Sequence, residues 1–255
     1  KVPTTYWCCV NCPGNPAAWK RHAVYHKQVK GQRNRLEDGG VVQQRDRDTA
    51  ERDARYAAQT GDAYDELMAE GVRYCSQQDW RRAARAFREA IALRPNEPAA
   101  YHNLGTALNN SGHVVEAAQR YLEATERMPA GSEGWAKTTA AAFNMLALKE
   151  CAEAAKPEWW NDEGLKARSA RVVRAAPDDM AANKMRAAVL SRKSGGSWEV
   201  GPRSAAELRE AVSHYERAAA RHPAPLGKAE LVGIAERCRR QAGAMQQKFG
   251  DLALA

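Results

Sequence analysis

The residues best able to do chemistry lie near the start of the chain. Cys9, Cys12, His22 and His26 have the spacing C-x2-C-x9-H-x3-H. Two cysteines on a tight knuckle can hold one metal ion. Two histidines four positions apart project from the same side of a helix, so the four side chains can close a tetrahedron around Zn2+. Pro13, Gly14, Asn15 and Pro16 supply a turn between the cysteines and a helix-compatible stretch, Ala17 to Val29, whose Trp19 and Tyr25 can pack on the knuckle. The spacer of nine is shorter than the usual ~12, and Cys8 with Cys12 gives a second register. The plainer reading, surface thiols beside two helix histidines, has to account for four ligand-type residues in the right order. A module this small would be unfolded without its metal.

The same segment is strongly basic. Lys1 to Arg35 holds seven basic residues and no acid, so it carries +7 of the chain's net +8, and Leu36 onward carries +1. Lys20, Arg21, Lys27, Lys30, Arg33 and Arg35 are candidates for phosphate contacts with RNA or DNA. Tyr6, Trp7, Trp19 and Tyr25 could stack on bases, but the expectation is that they form the module's own small core.

Beyond the arm, Gly39-Gly40 is a break, and Gln44 to Gln59 interleaves Arg with Asp and Glu. Opposite charges four apart, such as Asp48 with Arg52 and Glu51 with Arg55, suit a solvated helix acting as a semi-rigid tether. The domain boundaries that follow are 1–35 for the basic module, 36–62 for the charged link, 63–225 for helical pairs and 226–255 for a final helix and tail.

The helical pairs are read from a period. Pro95 and Pro129 lie 34 positions apart, and the residues before them line up: Leu67 with Tyr101, Gly71 with Gly105, Tyr74 with Leu108, Trp80 with Val114, Ala83 with Ala117, Phe87 with Tyr121, Ala90 with Ala124. A fixed period of this length, with small and large residues at set offsets, predicts two antiparallel helices per unit. The small residues let helices approach and the large ones fill the space. The units run 63–96, 97–131, 132–178 and 179–225. The third carries about 14 extra residues around Glu150 to Trp160, and the fourth about 12 around Lys193 to Arg203. Trp160 and Trp198 are expected to fold back into gaps left by degenerate helices, whereas Trp159 cannot easily point the same way as Trp160. The alternative is an aromatic recognition rim. Ser204 with Glu207 predicts a capping box, and Leu226 to Gln247 a helix that caps the open end.

This pattern resembles the tetratricopeptide repeat (TPR) family, and the arm resembles a C2H2 or matrin-like zinc finger. The resemblance implies an all-α fold: a TPR-like α-solenoid of about four helical pairs with a capping helix, after a small finger. It also implies a concave face lined by the first helix of each pair. On this chain that face comprises Asp65, Met68, Val72 and Cys75, then His102, Asn103, Thr106, Asn109 and Asn110, then Ala136, Lys137, Ala140 and Asn144. Of the positions that clamp a C-terminal carboxylate in some such repeats, only Asn103 fits, so a chaperone-tail clamp is not expected. The face is amide-rich and suits an extended peptide or helix.

Taken together these features point to an adaptor or scaffold: repeats that hold a protein partner and a basic zinc finger that contacts RNA or DNA. The rival is a purely structural subunit of a larger assembly without nucleic-acid contact. No Gly-rich phosphate loop, His-Glu-x-x-His or nucleophile elbow is present, so no enzyme is expected. No apolar run reaches the length of a membrane span. Cys75, Cys151 and Cys238 stand alone in helical contexts, as buried small hydrophobes do, which favours an intracellular, reducing compartment.

Overall fold

The computed structural model describes Glu51 and residues 61–191 and 198–253. The proposed metal ligands and basic residues of the arm, and nearly all of the charged link, lie outside the described residues. Among those described there are nine α-helices, one 3-10 turn and no strand. The chain forms two compact units, Lys1–Arg127 and Met128–Ala255, each taken here by itself.

In the first unit the helices are α1 (Ala63–Ser76), α2 (Trp80–Leu93), α3 (Pro98–Ser111) and α4 (Val114–Arg127). Each packs on the next in the chain, and α1 also touches α3. The ends are set locally. Asp62 and Asp79 accept hydrogen bonds from the backbone N–H of Tyr64 and Arg82 (2.8 and 3.1 Å), which satisfies donors that the first turn leaves free. Pro98 occupies the first turn of α3, and Gly112 ends it in a left-handed conformation (φ 89°). The 34-residue correspondence reappears as a repeated contact: Phe87 lies under Gly71 and Tyr121 under Gly105, and Ala83, Ala90, Ala117 and Ala124 are completely buried. A second device recurs with it. The guanidinium of Arg94 stacks on Tyr64 (4.8 Å) and that of Arg127 on Tyr101 (4.2 Å). Arg127 Nε and the Tyr101 hydroxyl both donate to the Pro95 carbonyl at 2.9 Å. The helix-ending proline thus supplies a carbonyl that ties two helices together. Trp80 and Tyr74 are only half-buried; Arg73 and Arg82 stack on the Tyr74 ring instead of a helix covering it.

The second unit contains α5 (Glu133–Leu146), the 3-10 turn Lys149–Cys151, α6 (Asp162–Ala175), α7 (Met180–Leu190), α8 (Ala205–Ala220) and α9 (Pro225–Ala253). Each helix packs on the next, and α5 also packs on α7. Ser132, Asn161 and Asp179 cap α5, α6 and α7 through their side chains. The extra residues between α5 and α6 fold inward. Trp160 and Trp198 are buried and form a triangle with Phe143, with ring centroids 5.6 to 5.7 Å apart. Lys156 donates to the carbonyls of Leu146 and Cys151 and lies over Trp160, so the last carbonyl of α5 and that of the 3-10 turn are satisfied from within the insertion. Trp159 is half-buried, its ring centroid 5.8 Å from that of Trp160, and it carries the Arg168 guanidinium at 4.4 Å. Helix α9 continues beyond the expected Gln247 end, and its Leu231, Ile234, Ala235 and Cys238 pack against Val212, Tyr215 and Ala219 of α8.

The capping box at α8 is complete. Ser204 Oγ accepts from Glu207 N (3.1 Å), and Glu207 Oε2 accepts from Ser204 N (2.7 Å). Ser204→Ala removes one acceptor and is expected to cost about 1 kcal/mol. Denaturant unfolding followed by circular dichroism checks this; an unchanged midpoint would mean the box contributes nothing.

Candidate functional site

The residues expected to meet a partner fall on α1 and α3 in the first unit and, separately, on α5 in the second. At 100° per residue His102, Asn103, Thr106, Asn109 and Asn110 fall within an arc of about 120° on α3, and all five are partly exposed. They are not equivalent. Thr106 Oγ1 lies 3.1 Å from the Tyr121 hydroxyl, and Asn110 Nδ2 donates to the Thr106 carbonyl at 2.9 Å. The His102 ring packs on Tyr121 with centroids 5.4 Å apart. Burial pushes the His102 pKa below its ordinary value and that of Tyr121 above it, so both are uncharged near neutral pH. His102 and Thr106 thus tie this arc to Tyr121 of α4, and Asn110 is tied back to Thr106. Among the described residues the amides of Asn103 and Asn109 have no side-chain hydrogen bond; each keeps two donors and an acceptor for a partner.

On α1, Met68 and Val72 share one side of the helix and are half-buried. Met68 packs beside the cluster of Tyr64, Ala90 and Ala100, which leaves its other flank open. Asp65 and Cys75 are also half-buried, and burial raises the Cys75 thiol to about 11. That thiol stays protonated and unreactive at neutral pH.

On α5, in the second unit, Lys137 is exposed and paired with Glu133 at 2.6 Å, and Asn144 is half-buried. Ala136 and Ala140 are completely buried. They cannot line an open face: the helix is turned so that these positions enter the core.

Two polar sites in the second unit escaped the pattern reading. His214, one of the isolated histidines of the sequence, is buried, with Nδ1 2.8 Å from Asn183 Oδ1. Burial and the neighbouring Arg217 lower its pKa, so it is a neutral, satisfied core residue. Arg203 is also buried. It donates to both carboxylate oxygens of Asp162 and, from Nη2, to the Val189 carbonyl at 2.9 Å. Lys166 extends the network, lying 3.5 Å from Asp162 and 2.7 Å from Glu207. The Arg203 hydrogen bond holds the Asp162 carboxyl below the usual carboxylate range. The network joins the starts of α6 and α8 to the end of α7. No local spacing announces a pair 41 positions apart. The visible signal was only that Arg203 precedes a capping serine and Asp162 follows a capping asparagine.

Comparison with known proteins adds one match. The profile of the TPR repeat family matches residues 71–112, which run from α1 through α2 to the end of α3. No curated protein matches the chain. Repeats of this family generally mediate protein–protein interaction. No helix among the described residues is long and apolar enough to cross a membrane.

Proposed function

We propose that this chain is an adaptor. A TPR-like solenoid of about four helical pairs, closed by α9, holds protein partners through Met68, Val72, His102, Asn103, Thr106, Asn109 and Asn110 in the first unit and through Lys137 and Asn144 in the second. Its N-terminal module binds Zn2+ through Cys9, Cys12, His22 and His26 and contacts RNA or DNA through Lys20, Arg21, Lys27, Lys30, Arg33 and Arg35.

The observation that carries the protein-binding half is the α3 surface. Asn103 and Asn109 offer amide groups without an internal side-chain partner among the described residues, on a helix that Tyr121 holds through Thr106 in the same arc. A rigid helix presenting unspent hydrogen-bond capacity suits an extended peptide or a helix better than it suits a reaction. The support for zinc is the ligand spacing, and the support for nucleic acid is the uncompensated charge of the arm.

Two experiments test the two halves. Affinity purification with the double variant Asn103→Ala/Asn109→Ala should lose the partners that the native chain retains, without a change in the unfolding midpoint; equal recovery of partners places their site elsewhere. Metal analysis should give about one zinc per chain, and a single-stranded RNA should bind with an affinity that falls steeply with salt. Binding should weaken in a variant with Lys27, Lys30, Arg33 and Arg35 changed to Gln. Protein partners without any nucleic-acid binding would instead favour the structural-subunit reading.

A further inference from the structure

Helix α6 lies in the second unit and carries none of the residues assigned above to the partner. Arg168, Arg171 and Arg174 follow one another at i, i+3 and i+6 along it. The first two are held by aromatic rings. Arg168 lies 4.4 Å from the centre of Trp159 and 5.4 Å from Trp135, and Arg171 lies 5.2 Å from Trp135. Arg171 and Arg174 are exposed and, with Gly131 and Ala175, line an open depression of about 240 Å³.

Among the described residues no ion pair neutralises this row. Three acids of the second unit are engaged elsewhere: Glu133 by Lys137, Asp162 by Arg203 and Lys166, Asp178 by Arg221. Like charges three apart on a helix repel, and Arg168 loses basicity through burial and through Arg171. Rings that stack on the guanidinium faces leave the N–H edges turned outward, and that planar fork is suited to taking an oxyanion two bonds at a time.

The shape of the site selects among anions. A single strand of nucleic acid needs open ring faces on which bases can stack. Trp135 is 3% exposed, and the Trp159 ring is already covered by Arg168. What remains is a small depression with two guanidinium forks at its wall. We propose that the Arg171–Arg174 depression on α6 is a second binding site, which takes the side-chain carboxylates of an acidic segment of a partner protein.

The test uses the whole chain and a fluorescein-labelled hexaglutamate peptide, with an oligouridine RNA as the competing chemistry. Fluorescence polarisation at low salt should show the peptide binding, with an affinity that falls as salt is added. Arg171→Gln/Arg174→Gln should weaken that binding at least about tenfold, since charge-assisted bonds are lost on a surface that contributes little to folding. If that variant unfolds early, Ala175→Glu decides the question: it leaves both arginines in place, sets a carboxylate in the depression, and should compete with the peptide to a similar extent. Three results would overturn the proposal: no peptide binding by the native chain, undiminished binding by both variants, or loss of oligouridine binding in the variants while peptide binding persists.

Discussion

Replacing Gly71 by alanine should destabilise the first unit by about 1 to 2 kcal/mol, even though alanine is the better helix former. Two terms compete. In an open helical position Gly→Ala gains up to about 1 kcal/mol from backbone entropy and propensity. At Gly71, however, the new Cβ would lie 2.3 Å from Phe87 Cε1, 2.6 Å from Cζ and 2.8 Å from Cδ1. The Phe87 ring is completely buried and cannot swing into solvent, so α1 and α2 must separate or the ring must leave its rotamer. Such overpacking costs about 1 to 3 kcal/mol and outweighs the propensity gain. Gly105→Ala repeats the experiment one period later, with Tyr121 Cδ1 and Cε1 both at 2.9 Å; the milder overlap predicts a smaller loss. Gly243→Ala in α9 is the control, because a Cβ there meets nothing within 4 Å. It should stabilise by up to about 1 kcal/mol. The informative result is the sign: a Gly71→Ala protein as stable as the Gly243→Ala one would mean that the helices do not approach this closely.

The largest single loss is expected from Arg203→Met. Arg203 is buried at the junction of α6, α7 and α8, and its removal leaves the partly exposed Asp162 carboxylate with Lys166 alone and takes donors from the Val189 carbonyl. Losing charge-assisted hydrogen bonds of this kind costs about 2 to 3 kcal/mol. Asp162→Asn should be similarly harmful for the complementary reason, and the double variant should lose less than the two single losses combined. The pair also sets an acid limit. The folded-state pKa of Asp162 is depressed, first by the Arg203 hydrogen bond. Its contribution is therefore complete above the unfolded carboxylate value of about 3.9 and is lost as pH falls through the lower folded value. Unfolding midpoints measured from pH 6 downward should fall on the acid side in the native chain, and Asp162→Asn should flatten that limb. An unchanged slope in the variant would show that other carboxylates govern acid unfolding.

These two sites also show what can be read from a linear sequence and what cannot. Gly71, Phe87, Gly105 and Tyr121 are legible because their contacts recur every 34 residues, and a period converts spacing directly into proximity. The inward turn of Trp160 and Trp198 is legible for a related reason: an insertion that interrupts a period must go somewhere, and degenerate helices leave space for large rings. Arg203 with Asp162 is not legible, because the contact is made once, between two insertions, with no repeat to register it. Of the residues proposed for the face, Asn103 and Asn109 are partly exposed, whereas Ala136 and Ala140 of α5 are completely buried, which no offset within the sequence announces. Trp80, placed by the pattern in a core position, remains half-exposed. The proposal of Cys9, Cys12, His22 and His26 as zinc ligands rests on spacing alone.

The central claim is that the first-helix face of the repeats grips another protein. A photo-crosslinking amino acid placed at Asn103, and separately at the exposed Gln119 on α4, tests it most directly. The account predicts a discrete protein adduct from position 103 and none from position 119. Adducts from position 119 alone, or of equal yield from both positions, would contradict it.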